Sequence, residues 1–309
     1  MNSSGTVSNN LSTPPSRRSF LKTWWYAIRP HTLGASIAPL IIAGGALWAD
    51  ESFRFLEYFL CLIVALSAQI SSNIANDYFD YKGGKDTADR VGFERLLTKG
   101  VVTPGQMFGA LVITTLICAL AGGILVWMGG WIILLIGLAT LLGIFAYSSG
   151  PFPLSHHGLG DLAVVIFFGL IPVLGTYYVV AGTPPLYLMF LALGIGLWEA
   201  NILVVNNYRD YQEDSKSGKK TIIVRMGVKS GPRLYALNTL LSIFVIMLGL
   251  YTEGSTIAAI IVALLLTFVC FVGVYGIQKL KGKRLNGLLK FTNKVAILMS
   301  IILSLSLIF

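Results

Sequence analysis

The chain has 309 residues, of which 55% are hydrophobic and only 12% are charged, and its mean hydropathy is +0.75. This composition excludes an ordinary soluble protein and is typical of a chain that crosses a membrane several times. The net charge of +9 requires no nucleic acid, because basic loops beside anionic lipid head groups and anionic substrates account for it. We therefore expect a lipid bilayer, and no nucleic acid, as a partner.

The N-terminal residues 1–21 are rich in Ser, Asn, Thr and Pro and precede every apolar stretch. Such a composition predicts a disordered cytoplasmic arm, and no cleavable signal peptide is expected. Residues 22–309 are predicted to form a single transmembrane domain.

Nine apolar stretches follow the arm, each of about 20 residues and therefore long enough to cross a bilayer as a helix. Their predicted limits are 31–48, 55–76, 106–127, 130–149, 160–181, 185–207, 233–252, 256–277 and 289–309. Several of the links between them are only a few residues long, and short links make neighbouring helices antiparallel.

Basic residues indicate how these helices are oriented. If the N-terminus is cytoplasmic, 22 of the 23 Lys and Arg lie in the N-terminal residues 1–29 or in the inner segments 82–99, 209–233 and 279–294, and only Arg54 lies outside. The positive-inside rule therefore predicts that the N-terminus and these segments face the cytoplasm. In a bacterium the membrane would be the plasma membrane.

Acidic residues are few, and two short motifs that contain them are related. Residues 76–81 have the sequence NDYFDY, and residues 206–211 have NNYRDY, with four of six positions identical at an offset of 130 residues. The motifs follow the second and sixth spans, four helices apart. The predicted fold class is therefore an all-α polytopic membrane protein with nine helices around a central cavity and two pseudo-repeated halves.

Both motifs place oxygen-bearing side chains at helical spacing. Asn76 and Asp80 are four residues apart, as are Asp210 and Asp214, so each pair lies on one helix face. Mg²⁺ prefers oxygen ligands of this kind and is usually bound through one or two carboxylates together with substrate phosphate oxygens. The pattern therefore predicts a Mg²⁺ site that holds a phosphorylated substrate.

The segments after the motifs support an anionic substrate. Gly83 and Gly84 are predicted to end the first motif helix, so that Asp86 folds back toward the site from a loop. Basic residues that can bind phosphate oxygens surround the motifs: Lys82, Lys85, Arg90, Arg95, Arg209, Lys216, Lys219 and Lys220. Taken singly, Lys216 or Arg95 is better interpreted as a solvated loop charge, but the repeated Asn and Asp set is not.

These two motifs resemble those of the UbiA-type superfamily of intramembrane prenyltransferases, whose hallmarks are two Asp-rich motifs after the second and sixth of nine helices. Four longer segments resemble its naphthoate branch, the 1,4-dihydroxy-2-naphthoate polyprenyltransferases of menaquinone synthesis. They are RPHTLGASIAP (29–39), ANDYFDYKGGKDTADRVG (75–92), GPFPLSHHGLGDL (150–162) and NNYRDYQEDSKSGKKTIIVRMG (206–227). Many superfamily members carry a third acidic residue at the position of Gly84. In this chain the third acidic residue is Asp86, two positions later, and this spacing resembles the naphthoate branch.

The resemblance implies an activity and a set of site residues. The activity is Mg²⁺-dependent transfer of a polyprenyl group from polyprenyl diphosphate to 1,4-dihydroxy-2-naphthoate, with loss of CO₂ to give demethylmenaquinone. The implied metal ligands are Asn76, Asp77, Asp80, Asp86, Asp210 and Asp214, of which Asp80, Asp210 and Asp214 are counted as catalytic. The implied diphosphate-binding residues are Arg29, Lys85, Lys219, Tyr147 and Ser148, and Asp161 is assigned to the acceptor cavity.

Glu199 is the one acidic residue well inside a span, eight residues before Asn207 and thus about 12 Å deeper along the helix. It is interpreted as a buried structural hydrogen-bond partner or, alternatively, as a residue that lines the acceptor cavity or accepts a proton. His156 and His157 are interpreted as solvated loop residues at the membrane edge.

Two alternatives to this activity remain open at the level of sequence. The acceptor could be homogentisate or 4-hydroxybenzoate, because the segment that begins RPHT also occurs in plastid-type phytyl transferases. A secondary transporter is the alternative from another class of protein, and its acidic residues should lie near the middle of the membrane.

Overall fold

The computed structural model describes residues 20–85, 92 and 95–309. Most of the predicted N-terminal arm and Asp86 lie outside these residues, so the predictions made for them remain predictions.

Helices form nearly all of the described chain. They are α1 (Phe20–Ile28), α2 (Pro30–Ala49), α3 (Phe55–Lys82), α4 (Pro104–Gly129), α5 (Trp131–Ala146), α6 (Gly160–Val165), α7 (Ile171–Ala181), α8 (Leu186–Arg209), α9 (Tyr211–Lys216), α10 (Ile222–Met226), α11 (Ser230–Glu253), α12 (Thr256–Lys279) and α13 (Leu285–Ile308). A π-helical turn, Ile166–Leu170, joins α6 to α7, and short 3₁₀ turns occur at Leu154–His156 and Gly282–Arg284.

Eight helical segments of the described chain are long and apolar enough to cross a membrane, and the 16-residue α5 is a shorter apolar helix. Together they correspond in order to the nine predicted spans, which confirms the predicted all-α polytopic fold. The largest difference at a span end is in α3, which continues to Lys82 rather than residue 76. Hydropathy does not detect this extension because the polar first motif is itself helical.

The motif-bearing helices occupy equivalent positions in the bundle. The first motif ends α3, which packs along α4, and the second ends α8, which packs along α11. α2 contacts α13, α7 and α3, and α8 also contacts α13. This arrangement agrees with the predicted pseudo-repeat of two halves.

Small residues allow α8 to approach the π-helical turn closely. A Cβ atom on Gly169 would lie 2.6 Å from the Cα atom of Gly196, and a Cβ atom on Gly196 would lie 2.7 Å from the carbonyl oxygen of Val165. Both distances are too short for real carbon contacts and involve backbone atoms, so neither position accommodates a side chain. Close helix packing through glycine is common in membrane proteins, and here it brings the backbones of α8 and the π-helical turn into direct contact.

Candidate active site

The first motif turns back on itself where α3 ends. Gly84 has a φ of +65°, a conformation that glycine adopts without steric cost. The turn brings the Lys85 N–H to the carbonyl oxygen of Asp80, at 2.9 Å. The predicted end of the helix at Gly83 and Gly84 is therefore confirmed, and Lys85 returns toward the motif.

Asp80 is the residue on which several segments converge. Its side chain is buried, with 1% of the residue exposed. Lys219 Nζ donates a hydrogen bond to Asp80 Oδ2 at 2.7 Å, Arg95 Nη2 lies 3.5 Å from the same oxygen, and His156 Nε2 lies 3.3 Å from Oδ1. Three loop segments that are far apart in sequence therefore meet at one carboxylate.

Asp77 is paired with two arginines. Its carboxylate contacts the guanidinium groups of both Arg29 and Arg95. Arg29 separates α1 from α2 with a φ of +56°, which is uncommon for a residue with a side chain. The following Pro30 disfavours the right-handed helical conformation at Arg29. Strained residues of this kind cluster at functional sites, and this one directs its guanidinium group to the first motif.

Arg95 is a buried cation, with 5% of the residue exposed. The interpretation of Arg95 as a solvated loop charge is therefore wrong. Burial and the nearby positive charge of Arg29 lower the pKa of the Arg95 guanidinium, and this effect is opposed by Asp210 and Glu213. The guanidinium group thus depends on surrounding carboxylates for its stability in this position.

The second motif lies where α8 gives way to α9. Arg209 donates to both carboxylate oxygens of Asp210, with Nε–Oδ1 and Nη2–Oδ2 distances of 2.7 Å, and it also binds the side-chain oxygens of Asn206 and Asn286. The N–H of Asp214 donates to the carbonyl oxygen of Asp210 at 2.9 Å. An i to i+4 hydrogen bond of the helical type therefore joins Asp210 to Asp214, although α8 and α9 are separate helices.

Lys219 connects the two motifs directly. Its N–H donates to the carbonyl oxygen of Asp214 at 2.9 Å, while its side chain binds Asp80 of the first motif. The next residue, Lys220, donates its N–H to the carbonyl oxygen of His156 at 2.9 Å. The structure thus brings both motifs and the predicted diphosphate-binding residues to one end of the bundle.

His156 was not predicted to belong to the site. Only 6% of the residue is exposed, so its interpretation as a solvated loop residue is wrong. Lys85 Nζ donates to His156 Nδ1 at 2.8 Å, and the opposite side of the ring faces Asp80. His157, by contrast, contacts the carbonyl oxygen of Pro153. The single 3₁₀ turn that carries His156 has no periodic pattern that would have revealed it.

A cavity of about 290 Å³ lies among α2, α3, α5, α7 and α8. Its walls are mainly apolar, and Arg29, Asn76, Asn206 and Tyr147 line it near the motifs. The cavity therefore joins a charged end to a hydrocarbon-like interior, as an amphipathic substrate with a long apolar tail requires.

Glu199 lines this cavity and is 1% exposed. Neither of its carboxyl oxygens has a hydrogen-bond partner among the described residues, so no structural hydrogen bond from these residues accounts for the burial of Glu199.

The remaining predicted residues lie nearby. Tyr147 follows α5, and Ser148 is buried beside it with a hydroxyl that makes no hydrogen bond to the described residues. Asp161 lies in the first turn of α6 and is not among the described side chains that line the cavity.

The donor chemistry of the two motifs suits a hard divalent cation. Asn76, Asp80, Asp210 and Asp214 offer only oxygen ligands, which Mg²⁺ prefers. No three acidic or histidine side chains within the described ranges lie close enough together to hold a metal ion, and Lys219 and Arg209 pair with the carboxylates instead. Asp80 Oδ1 faces His156 Nε2 at 3.3 Å, so His156 and Lys219 occupy the two oxygens that Asp80 would offer to a metal ion.

Comparisons with known proteins agree with this arrangement. Residues 37–295 match the UbiA prenyltransferase family. The 1,4-dihydroxy-2-naphthoate octaprenyltransferase of Haemophilus influenzae is 35% identical over 224 residues, which cover 70% of this chain and 72% of that protein. The Escherichia coli protein of the same name is 36% identical over 223 residues, with the same two shares.

Solved structures share the fold. A UbiA homolog from Archaeoglobus fulgidus bound to GPP and Mg²⁺ gives a TM-score of 0.68 at 13% identity, and the match covers 92% of this chain and 99% of that one. The alternative of a secondary transporter is unsupported, because both acidic motifs lie at one end of the bundle and the matched family is one of enzymes. The chain is an integral membrane enzyme that belongs to the UbiA prenyltransferase family.

Proposed function

We propose that the enzyme transfers a polyprenyl group from polyprenyl diphosphate to 1,4-dihydroxy-2-naphthoate. The observation that carries this proposal is the convergence of two acidic motifs and several basic side chains at one end of an apolar cavity. The names of the Haemophilus influenzae and Escherichia coli relatives support the naphthoate acceptor. The GPP and Mg²⁺ bound to the Archaeoglobus fulgidus homolog support a prenyl diphosphate donor and a metal.

The diphosphate is proposed to bind among Arg29, Lys85 and Lys219. In the structure Arg29 contacts Asp77, Lys85 contacts His156 and Lys219 contacts Asp80. Charge-assisted hydrogen bonds to phosphate oxygens are among the strongest that lysine and arginine make. Tyr147 and Ser148 are proposed to line the same end of the cavity, where their hydroxyl groups can donate to the substrate.

The metal ligands are proposed to come from both motifs, and they are Asn76, Asp77, Asp80, Asp210 and Asp214. Asp86 remains a proposed ligand outside the described residues. When bound, Mg²⁺ supplies positive charge that stabilises the departing diphosphate.

The apolar cavity is proposed to protect the carbocation that forms during the reaction. The bond between the allylic carbon and the diphosphate oxygen breaks, and the apolar walls exclude water from the resulting cation. The electron-rich naphthoate ring then forms a carbon–carbon bond to that carbon. When attack occurs at the carbon that bears the carboxylate, the electrons of the broken C–CO₂ bond return to the ring, which restores aromaticity and gives the hydroquinone form of demethylmenaquinone, in line with the family resemblance.

The site is proposed to face the cytoplasm. The segments that surround it carry most of the Lys and Arg of the chain, and basic segments remain on the cytoplasmic side of membranes. In a bacterial cell the enzyme would lie in the plasma membrane.

The acceptor and the metal are tested with purified enzyme and a labelled polyprenyl diphosphate. We expect product with 1,4-dihydroxy-2-naphthoate, none with homogentisate or 4-hydroxybenzoate, and complete loss of turnover with EDTA that added Mg²⁺ restores. Consumption of only another acceptor would contradict the proposed acceptor, and turnover that persists in EDTA would contradict the metal.

His156→Ala is expected to lower kcat roughly 10-fold, as loss of a residue that orients metal ligands typically does. The physical reason is that His156 lies between Lys85 and Asp80 and holds both in place. We also expect a higher Mg²⁺ concentration at half-maximal rate, which a merely structural defect would not produce.

His157→Ala is the matched control, because the neighbouring ring stacks on Phe152 and does not contact the motifs. Equal kinetics for the two variants would show that His156 does not position the site.

A further inference from the structure

The repeat that relates the two motifs continues deeper into the bundle. Four side chains of α8 line the cavity, and they are Glu199, Ile202, Leu203 and Asn206. The positions 130 residues earlier on α3 are Gln69, Ser72, Asn73 and Asn76, and all four also line it. The two helices thus present the same face, position by position, to one shared space.

Among these four paired positions, the one farthest from the motif is polar on both helices. Gln69 precedes Asn76 by seven residues, and Glu199 precedes Asn206 by seven, so each lies about 10 Å below its motif along the helix. Apolar side chains such as Ile136 and Phe168 line other parts of the same cavity. A carboxyl and an amide group are therefore placed at equal depth in a largely hydrocarbon environment.

A polar group in such a place requires a partner. Burying a carboxyl or amide group without a hydrogen bond is costly, and buried polar groups are nearly always paired. Both oxygens of Glu199 lack a partner among the described residues, and Gln69 is also buried. A prenyl tail consists only of carbon and hydrogen and offers no hydrogen bond. A ligand with hydroxyl groups at this depth would supply the missing partners.

We propose that Gln69 and Glu199 form the recognition site for the acceptor and bind the hydroxyl groups of a hydroquinone-type ring. This inference rests on the proposed prenyl transfer and extends it to the residues that select the acceptor. Two polar side chains on two helices suit a ring with hydroxyl groups at opposite positions, as in 1,4-dihydroxy-2-naphthoate. The ring then lies in the cavity below the diphosphate, where it meets the allylic carbon.

The test compares the kinetics of Glu199→Leu and Gln69→Leu with those of the unaltered enzyme. Each variant is expected to raise the KM for 1,4-dihydroxy-2-naphthoate by about 10-fold, as loss of one hydrogen bond to a buried group does. The KM for the prenyl diphosphate should stay unchanged. Glu199→Gln keeps a polar oxygen and should recover part of the loss.

A second substrate tests the contact itself. 1-Hydroxy-2-naphthoate lacks one hydroxyl group. The leucine variant that has lost the partner of that group should therefore show the same KM for this substrate as the unaltered enzyme. Such non-additivity between a substrate group and a side chain is the mark of direct interaction. Ser300→Ala is the control, because Ser300 is buried with an unpartnered hydroxyl in the described chain but does not line the cavity.

The proposal is overturned if both variants leave the acceptor KM unchanged, which would indicate that water satisfies Glu199. It is also overturned if only the KM for the prenyl diphosphate rises, because the pair would then contact the donor. If the unaltered enzyme does not consume the naphthoate, the proposed acceptor fails, and the same variants are compared on the acceptor that it does consume.

Discussion

Asp80→Ala is expected to lower the rate of prenyl transfer on the order of 100- to 1,000-fold, as removal of a central electrostatic group in an active site typically does. Asp80 is buried and is contacted by Lys219, Arg95 and His156. Its loss removes a proposed metal ligand and also removes the carboxylate that Lys219, Arg95 and His156 contact. The measurement is the initial rate with labelled polyprenyl diphosphate at saturating Mg²⁺.

Glu51→Gln serves as the control for this variant. Glu51 is an exposed acid that follows α2, far along the helix from Arg29 and the motifs, so its replacement should leave the rate unchanged. A rate for Asp80→Ala close to that of the unaltered enzyme would contradict a catalytic role for the first motif.

Arg95→Met is expected to destabilise the folded protein by about 3–5 kcal/mol, the usual cost of breaking a buried ion pair by removing one partner. Arg95 is buried and contacts both Asp77 and Asp80. Without its guanidinium group the two carboxylates share a site of low polarity with less positive charge nearby. The measurement is the free energy of unfolding in detergent micelles.

Lys283→Met is the matched control, because Lys283 is an exposed cation in the 3₁₀ turn before α13. It should change stability little, as surface substitutions usually do. Equal stability of the two variants would show that Arg95 contributes no more than a surface charge.

Much of the fold follows from the sequence because membrane spans are long apolar stretches and the two motifs repeat. The offset of 130 residues between Asn76 and Asn206 predicted that α3 and α8 are equivalent. The ends of the spans were harder to predict, because Asp77 and Asp80 are polar yet remain helical. The unpredicted α1 is only nine residues long, too short for an apolar span to reveal it.

The parts of the candidate site that could not be predicted depend on tertiary contacts. His156 and Arg95 lie in loops whose sequence resembles any solvated loop, and only the folded chain places them beside Asp80. The depth of Glu199 was predictable from its position inside a span. Its lack of a hydrogen-bond partner among the described residues was not, because that depends on what every neighbouring helix presents.

Binding of a non-reactive prenyl thiodiphosphate in the presence of Mg²⁺ tests most directly whether the two motifs hold one diphosphate. Asp80→Ala, Asp214→Ala and the double variant are compared with the unaltered enzyme. If both motifs bind the same ligand, either single variant abolishes most of the binding, and the double variant binds only slightly more weakly than either single variant. Losses that simply add in the double variant would mean that the motifs act independently, and the single shared site would be contradicted.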